Sequence, residues 1–175
     1  MIYLPYVCSS KKYIKKIYYF LILLLIFLDQ LSKLYIDKTI EYGDRIYVTS
    51  CFNLTLIYNW GAAFSLLSNQ EGNQKYLFIL IGISVSCFIL MILNSSNTTK
   101  TNNIALAMIM AGTIGNMIDR FYNGYVIDFL LFYWDDFFFP VFNLADVYIS
   151  IGVILFCFIE IRLLKNKNLS ITKKL

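Results

Sequence analysis

Histidine is absent from this 175-residue chain. Its absence excludes Ser-His-Asp and Cys-His catalysis, and with them every His-ligated metal site. Cysteine is scarce: the four residues, Cys8, Cys51, Cys87 and Cys157, fall at no metal-ligand spacing. Cys87 and Cys157 lie within apolar runs and read as small buried hydrophobes. Only Cys51 sits in a polar segment, so no disulfide framework is evident and redox chemistry is not expected. Charge is thin as well, at 15% of residues, where an ordinary soluble domain carries about 25%. The basic residues behind the net +4 lie at the two ends rather than along a face, which argues against a nucleic-acid partner.

What the chain has in excess is apolar surface, 59% of residues, too much for an ordinary soluble domain. The length fits one domain, residues 1–175, with no repeats or linkers. Four apolar runs stand out, near 17–36, 76–93, 104–118 and 142–164. A run of about 18 or more can cross a hydrocarbon core of about 30 Å. The third is short and is accepted because the topology needs it. The first has a basic front, Lys11, Lys12, Lys15 and Lys16, like a signal peptide, but DQLSK follows it where a small-residue cleavage site would stand. We therefore read a retained anchor. LPYVC around Cys8 has no apolar region before it and is not read as a lipid-attachment site.

Basic residues accumulate on the cytoplasmic side of short loops. Ten of them, Lys11, Lys12, Lys15, Lys16, Lys100, Arg162, Lys165, Lys167, Lys173 and Lys174, flank one side of the runs. The loops on the other side, 37–75 and 119–140, carry Lys38, Arg45, Lys75 and Arg120 against eight acids. Both termini are expected in the cytoplasm and both long loops outside. RIYVTSCFNLTLIYN in the first of these loops is rich in β-branched and aromatic residues and reads as short strands on the outer membrane surface. The expected fold is thus a membrane all-α protein of four transmembrane helices with a small extracytoplasmic sheet.

Polar residues inside apolar runs are expensive unless paired, solvated in a cavity or functional. Asp29 and Lys33 stand four apart, acid first, the favoured order for a helical pair. Gly112, Gly115, Asn116 and Asp119 form one stripe of the third run, and small residues there let helices approach. Asn143, Asp146 and Ser150 share a face at the start of the fourth. The three stripes converge at one depth, near the outer interface. Two carboxylates in a confined site hold a proton between them, and such a pair can activate water while protonating a carbonyl oxygen or leaving amine. Asp119, Asp128 and Asp146 all qualify. Asp119 precedes Arg120, which can neutralise it locally, whereas Asp128 in GYVIDF has no basic neighbour. An Asp-Asn-Arg cluster can also be a plain hydrogen-bonded lock between helices. Asp135 and Asp136 read as solvated loop acids, Trp60 and Trp134 as interfacial anchors, and Glu160 as a snorkelling neighbour of Arg162.

These residues carry a resemblance. DQLSK at 29–33, NWGAAFS at 59–65, GTIGNMIDRFYNGYVIDF at 112–129 and FNLAD at 142–146 follow in the order found in the lipoprotein signal peptidases, the type II signal peptidases of bacteria (peptidase family A8), which the chain resembles over three of its four spans. The resemblance implies an intramembrane aspartyl endopeptidase of the bacterial cytoplasmic membrane that cuts a prolipoprotein before its diacylglyceryl-cysteine. Its catalytic pair falls on Asp128 and Asp146. Asn59, Asn116, Asp119, Arg120 and Asn143 fall on positions that line or support the site, and Asp29 and Lys33 on a pair with a structural or lipid-side role. Ala111 stands where the family usually has a first glycine. The family also implies a β-cradle over the membrane surface, where an extended substrate could pair with an edge strand, while its lipid chains stay among the membrane lipids. No metal and no cofactor are implied, and a monomer is expected. Two other functions fit the sequence less well. A non-catalytic proton or ion conductor would use Asp119, Arg120 and Asp146 as a relay, but does not need two long outer loops. A Ser/Lys peptidase on Ser32 and Lys33 fails because adjacent helical residues point about 100° apart.

Overall fold

The structure, a computed structural model, describes residues 7–61, 73–95 and 98–172, with side chains from Lys15 to Lys165. Four long helices carry the chain: α1 (Val7–Thr39), α2 (Gln74–Asn94), α3 (Lys100–Tyr122) and α4 (Leu144–Thr172). Between them run four strands, β1 (Arg45–Thr49), β2 (Phe52–Asn59), β3 (Val126–Trp134) and β4 (Phe137–Phe138). Each helix holds a stretch long and apolar enough to cross a membrane: 15–39, 74–94, 100–122 and 144–165. Within hydrocarbon a helix satisfies its own backbone, which is why apolar runs of this length take that form.

The third span exceeds the expected 104–118 at both ends. Thr99 caps its start, accepting from the Asn102 N–H at 3.1 Å, and its end turns through Gly124 at φ +84°, the left-handed stop that glycine adopts most easily. The fourth starts at Leu144 rather than 142, because Phe142 is drawn into a β-bridge with Leu130.

The helix faces are inside out relative to a soluble protein. On α1, Phe20, Leu23 and Phe27 are each at least 60% exposed, while Asp29 and Lys33 are 0 and 1% exposed. An apolar exterior around buried charge is the pattern of a helix solvated by lipid. α3 lies at the centre, packed against α1, α2 and α4. Its small residues explain the closeness: a side-chain carbon on Gly112 would collide with the Ala145 backbone oxygen of α4, and one on Gly115 would lie 2.5 Å from Asp29 Oδ2. Tyr18, Ile22, Ile89, Leu106 and Met110 fill the space between α1, α2 and α3.

The strands form one antiparallel sheet in the order β1-β2-β3-β4, seated on the end of α1 through Ile36, Ile40, Leu56, Ile127 and Phe129. The expected strands of the first loop are present as β1 and β2. Half of the sheet, however, comes from the second loop, where no strand was anticipated. Asp135 and Asp136 are exposed at the β3–β4 turn, as expected.

Three expectations need correction. Cys87 and Cys157 are exposed on the outer helix faces, not buried; a thiol is apolar enough to face lipid as readily as a core. Asp29 and Lys33 point into the bundle, so the lipid-side role for that pair is excluded. Glu160 accepts a hydrogen bond from Asn102 Nδ2 at 2.7 Å, which ties it to α3 rather than leaving it beside Arg162.

Candidate active site

The site lies where β3 meets the first turn of α4. Ile57 pairs with Asp128 and Asn59 with Val126 in the β2–β3 ladder, after a bulge between Leu54 and Ile57. Residues diagonal across two strands lie within side-chain reach, and Asn59 Nδ2 donates to Asp128 Oδ2 at 2.9 Å. On the other side of Asp128, Phe142 is clamped to β3: the Phe129 and Leu130 N–H groups donate to its carbonyl, and its own N–H donates to Leu130. That clamp delivers Asn143, fully buried, against Asp128, where its Nδ2 donates to Oδ1 at 2.6 Å.

Asn143 also starts α4. Its Oδ1 accepts from the Asp146 N–H at 3.0 Å, and Asp146 Oδ2 accepts from the Asn143 N–H at 3.2 Å. This is a reciprocal capping box, with Asn143 before the first helical residue and Asp146 three positions later. FNLAD is thus a helix start that fixes a carboxylate. Asp146 Oδ1 remains free of the box and accepts from Asn116 Nδ2 of α3 at 2.8 Å. Asn116 and Asn143 are themselves joined, Nδ2 of the latter lying 3.2 Å from Oδ1 of the former. Asp128 and Asp146 are therefore linked through two amides, and both line one cavity of about 760 Å³ together with Asn59, Asn116 and Arg120.

The two carboxylates differ in setting. Asp128 is 3% exposed. Burial, and next the neighbouring Asp146 charge, push its pKa up to about 7, against the opposing effects of the Asn59 and Asn143 hydrogen bonds and of Lys33. Arg120 reaches the same cavity, donating to the Gly61 carbonyl at 2.9 Å and lying 4.7 Å from the centre of the Phe78 ring.

Asp119 is not on this cavity. It lies behind it, 2.9 Å from Lys33 Nζ, with its other partners the Ile127 N–H and Gln30 Nε2. Its counter-charge is thus Lys33 and not, as its place in the sequence implied, the adjacent Arg120. Lys33 also contacts Asp29 at 2.9 Å, whose second oxygen accepts from the Ala145 N–H of α4. Gln30, which joins Asp29, Asp119 and the Gly115 carbonyl, was missed in the sequence. Its signal was present: three positions before Lys33, it shares the inward face of α1. Ser32 donates to the Asp29 carbonyl and Lys33 is fully engaged elsewhere, so a Ser/Lys pair does not form. Of NWGAAFS only Asn59, Trp60 and Gly61 are within the described residues; Trp60 meets Tyr125 edge to face and lines the cavity.

Comparison with known proteins shows the family and the fold. The model of the family described as Signal peptidase (SPase) II, Peptidase_A8, matches residues 21–162. The lipoprotein signal peptidase of Pasteurella multocida is 47% identical over 126 residues, covering 71% of this chain and 76% of its own. That of Neisseria gonorrhoeae is 43% identical over 148 residues, 84% and 90% of the two chains. Two solved bacterial membrane enzymes share the fold. One, at 29% identity and a TM-score of 0.70, covers 95% of this chain and 94% of its own. The other, at 31% identity and 0.73, covers 86% and 94%. The chain is a multi-pass membrane protein and belongs to the signal peptidase II family of peptidases, Peptidase_A8.

Proposed function

We propose that this chain is an aspartic endopeptidase that removes signal peptides from lipid-modified lipoprotein precursors, cutting before the diacylglyceryl-cysteine, with Asp128 and Asp146 as the catalytic pair. The observation that carries the reading is the meeting of these two carboxylates on one cavity, joined through Asn116 and Asn143. Asp146, held by a backbone N–H and an amide in the first turn of a helix, acts as the general base in this reading. Asp128, pushed up to about 7 by burial, keeps a proton available near neutral pH and acts as the acid. The base takes a proton from water as its oxygen adds to the scissile carbonyl, while Asp128 protonates the carbonyl oxygen. As the intermediate collapses, Asp146 gives the proton it took to the departing nitrogen and Asp128 recovers its own from a hydroxyl of the intermediate, so the C–N bond breaks, the amine leaves as the new N-terminus and the pair is restored.

Asn59, Asn116 and Asn143 orient the pair, and Arg120 at the cavity wall offers a cation to substrate carbonyls. The rim is apolar, with Phe139, Val141, Ile149 and Ile151 beside it, and Phe139 and Ile151 are about half exposed. This lets the acyl chains of the substrate remain in the bilayer next to the site. Four spans put both ends on one side, and the basic residues at those ends make that side the cytoplasm. The sheet then faces outward from the cytoplasmic membrane of a bacterium. One chain supplies the whole site, which fits a monomer. A proton or ion conductor is not favoured, because the family is one of peptidases.

The test is processing of a diacylglyceryl-modified precursor by purified protein, beside its unlipidated twin. Cleavage of the lipidated form alone is expected. Asp128→Asn and Asp146→Asn should each abolish it while still accumulating in the membrane; normal processing by either variant would overturn the reading.

A further inference from the structure

The buried cation behind the pair has more to do than join helices. Lys33 Nζ has three N–H donors and three acceptors: Asp29 Oδ2 at 2.9 Å, Asp119 Oδ2 at 2.9 Å and Asn116 Oδ1 at 3.0 Å. An ammonium can only donate, so Asn116 must turn its oxygen to Lys33. Its NH₂ is then left to face Asp146 Oδ1 at 2.8 Å. The reversed amide would set NH₂ against ammonium and oxygen against carboxylate, two repulsions.

The same choice passes to the second amide. With Asn116 Oδ1 fixed as an acceptor, Asn143 must present its NH₂ there, at 3.2 Å, and the same NH₂ reaches Asp128 Oδ1 at 2.6 Å. Its oxygen is thereby turned to the Asp146 N–H. Asp146 is thus faced by an amide whose direction traces to the lysine, and Asp128 by one that the lysine and the α4 capping bond fix together, beside Asn59. Hydrogen bonds in such a chain polarise one another, so the amide facing Asp146 is a stronger donor for its contact with the cation.

We infer that Lys33 is a positioning residue for the peptidase reaction: through Asn116, and through Asn143 together with its capping bond, it sets the direction of the amides that hold Asp128 and Asp146. This rests on the aspartic reading above. The charged and titratable groups around the pair are Lys33 from α1, Tyr58 from β2 and Arg120 from α3, with Asp29 and Asp119 behind them on Lys33.

Lys33→Met keeps the stem of the side chain and removes the donor. Because it strands two buried carboxylates, Lys33→Met/Asp119→Asn is made beside it. Both are assayed on the lipidated precursor over a range of pH, with kcat and KM separated and the amount of folded protein measured. We expect the double variant to accumulate like the parent, with kcat at least about tenfold lower and KM within about twofold. In Lys33→Met the pH profile of kcat should move to higher pH by on the order of one unit, as loss of a cation raises carboxyl proton affinity. A purely structural lysine predicts otherwise: the double variant regains the parental kcat, or the profile of folded Lys33→Met stays in place. Either result overturns the inference, as does failure of both variants to accumulate. The aspartic reading is judged separately, by the Asp128→Asn and Asp146→Asn proteins.

Discussion

Replacing Asp128 with asparagine should stabilise the folded protein at alkaline pH and not at acid pH. In the unfolded chain this carboxyl ionises near 3.8, whereas burial, followed by the Asp146 charge, raises it to about 7 in the fold. Between those values the folded protein keeps a proton that the unfolded chain has released. The folded state therefore loses stability as pH rises from 3.8 through about 7, and the loss is complete above that interval. At about 1.4 kcal/mol per pH unit, it amounts to roughly 4 kcal/mol. Asparagine never ionises and escapes this loss. Its own NH₂, however, must face the amide donor of either Asn59 or Asn143, and one such unmatched pair costs about 1–3 kcal/mol. The net gain near pH 8 is then about 1–3 kcal/mol, or a Tm rise of roughly 2–10 °C for a chain of this size. Near pH 5 only about 1.2 pH units of that interval have been crossed, a loss of roughly 1.6 kcal/mol that the unmatched amide cancels, and below 3.8 the gain is absent and asparagine is the less stable. Thermal unfolding of both proteins in detergent across this range measures the difference. A gap in Tm that does not widen with rising pH would refute the argument.

Asn143→Ala removes the amide at 2.6 Å from Asp128 and the cap of α4. Its kcat should fall about ten- to a hundredfold, the equivalent of a hydrogen bond to a charged group, with about 1 kcal/mol of stability lost with the cap; steady-state kinetics and melting curves check the two effects separately. Gly115→Ala would place a carbon 2.5 Å from Asp29 Oδ2 and 3.4 Å from the Ala145 side chain. It should cost about 1–3 kcal/mol through overpacking, read as a lowered Tm, and an unchanged Tm would show that α1 and α4 can separate freely from α3.

The helices were legible because their signal is local: long apolar runs with few charges. The inward stripes were legible for the same reason, since 3.6-residue spacing sets Asp29 with Lys33 and Gly112 with Gly115, Asn116 and Asp119 before any packing is known. β3 was hidden, although VIDFLLFYW is rich in strand-forming residues. Its apolar residues run nearly without alternation because both faces of its first half are buried, and so the period of two is erased. The partner of Asp119 was misassigned for a different reason: Arg120 is its neighbour in sequence, but consecutive helical residues diverge, and Arg120 swings toward the cavity while Asp119 turns to Lys33. N-x-x-D at Asn143–Asp146 could have been read as a capping box from its spacing alone.

That capping box explains why the pair is built from unlike elements. A carboxylate in the first turn of a helix meets backbone N–H groups that favour its charge, and Asp146 sits there with its orientation fixed by Asn143. A carboxylate on a buried strand has its backbone N–H and C=O committed to the ladder, and Asp128 is left with side-chain amides alone. Placing the two on one type of element would give them similar environments. Setting one at a helix start and the other within a sheet gives each carboxylate its own set of donors within a single cavity. The clamp of Phe142 on β3 joins the two settings, because it fixes Asn143 against Asp128 and starts α4 in the same residue. Loosening that clamp would disturb both roles at once.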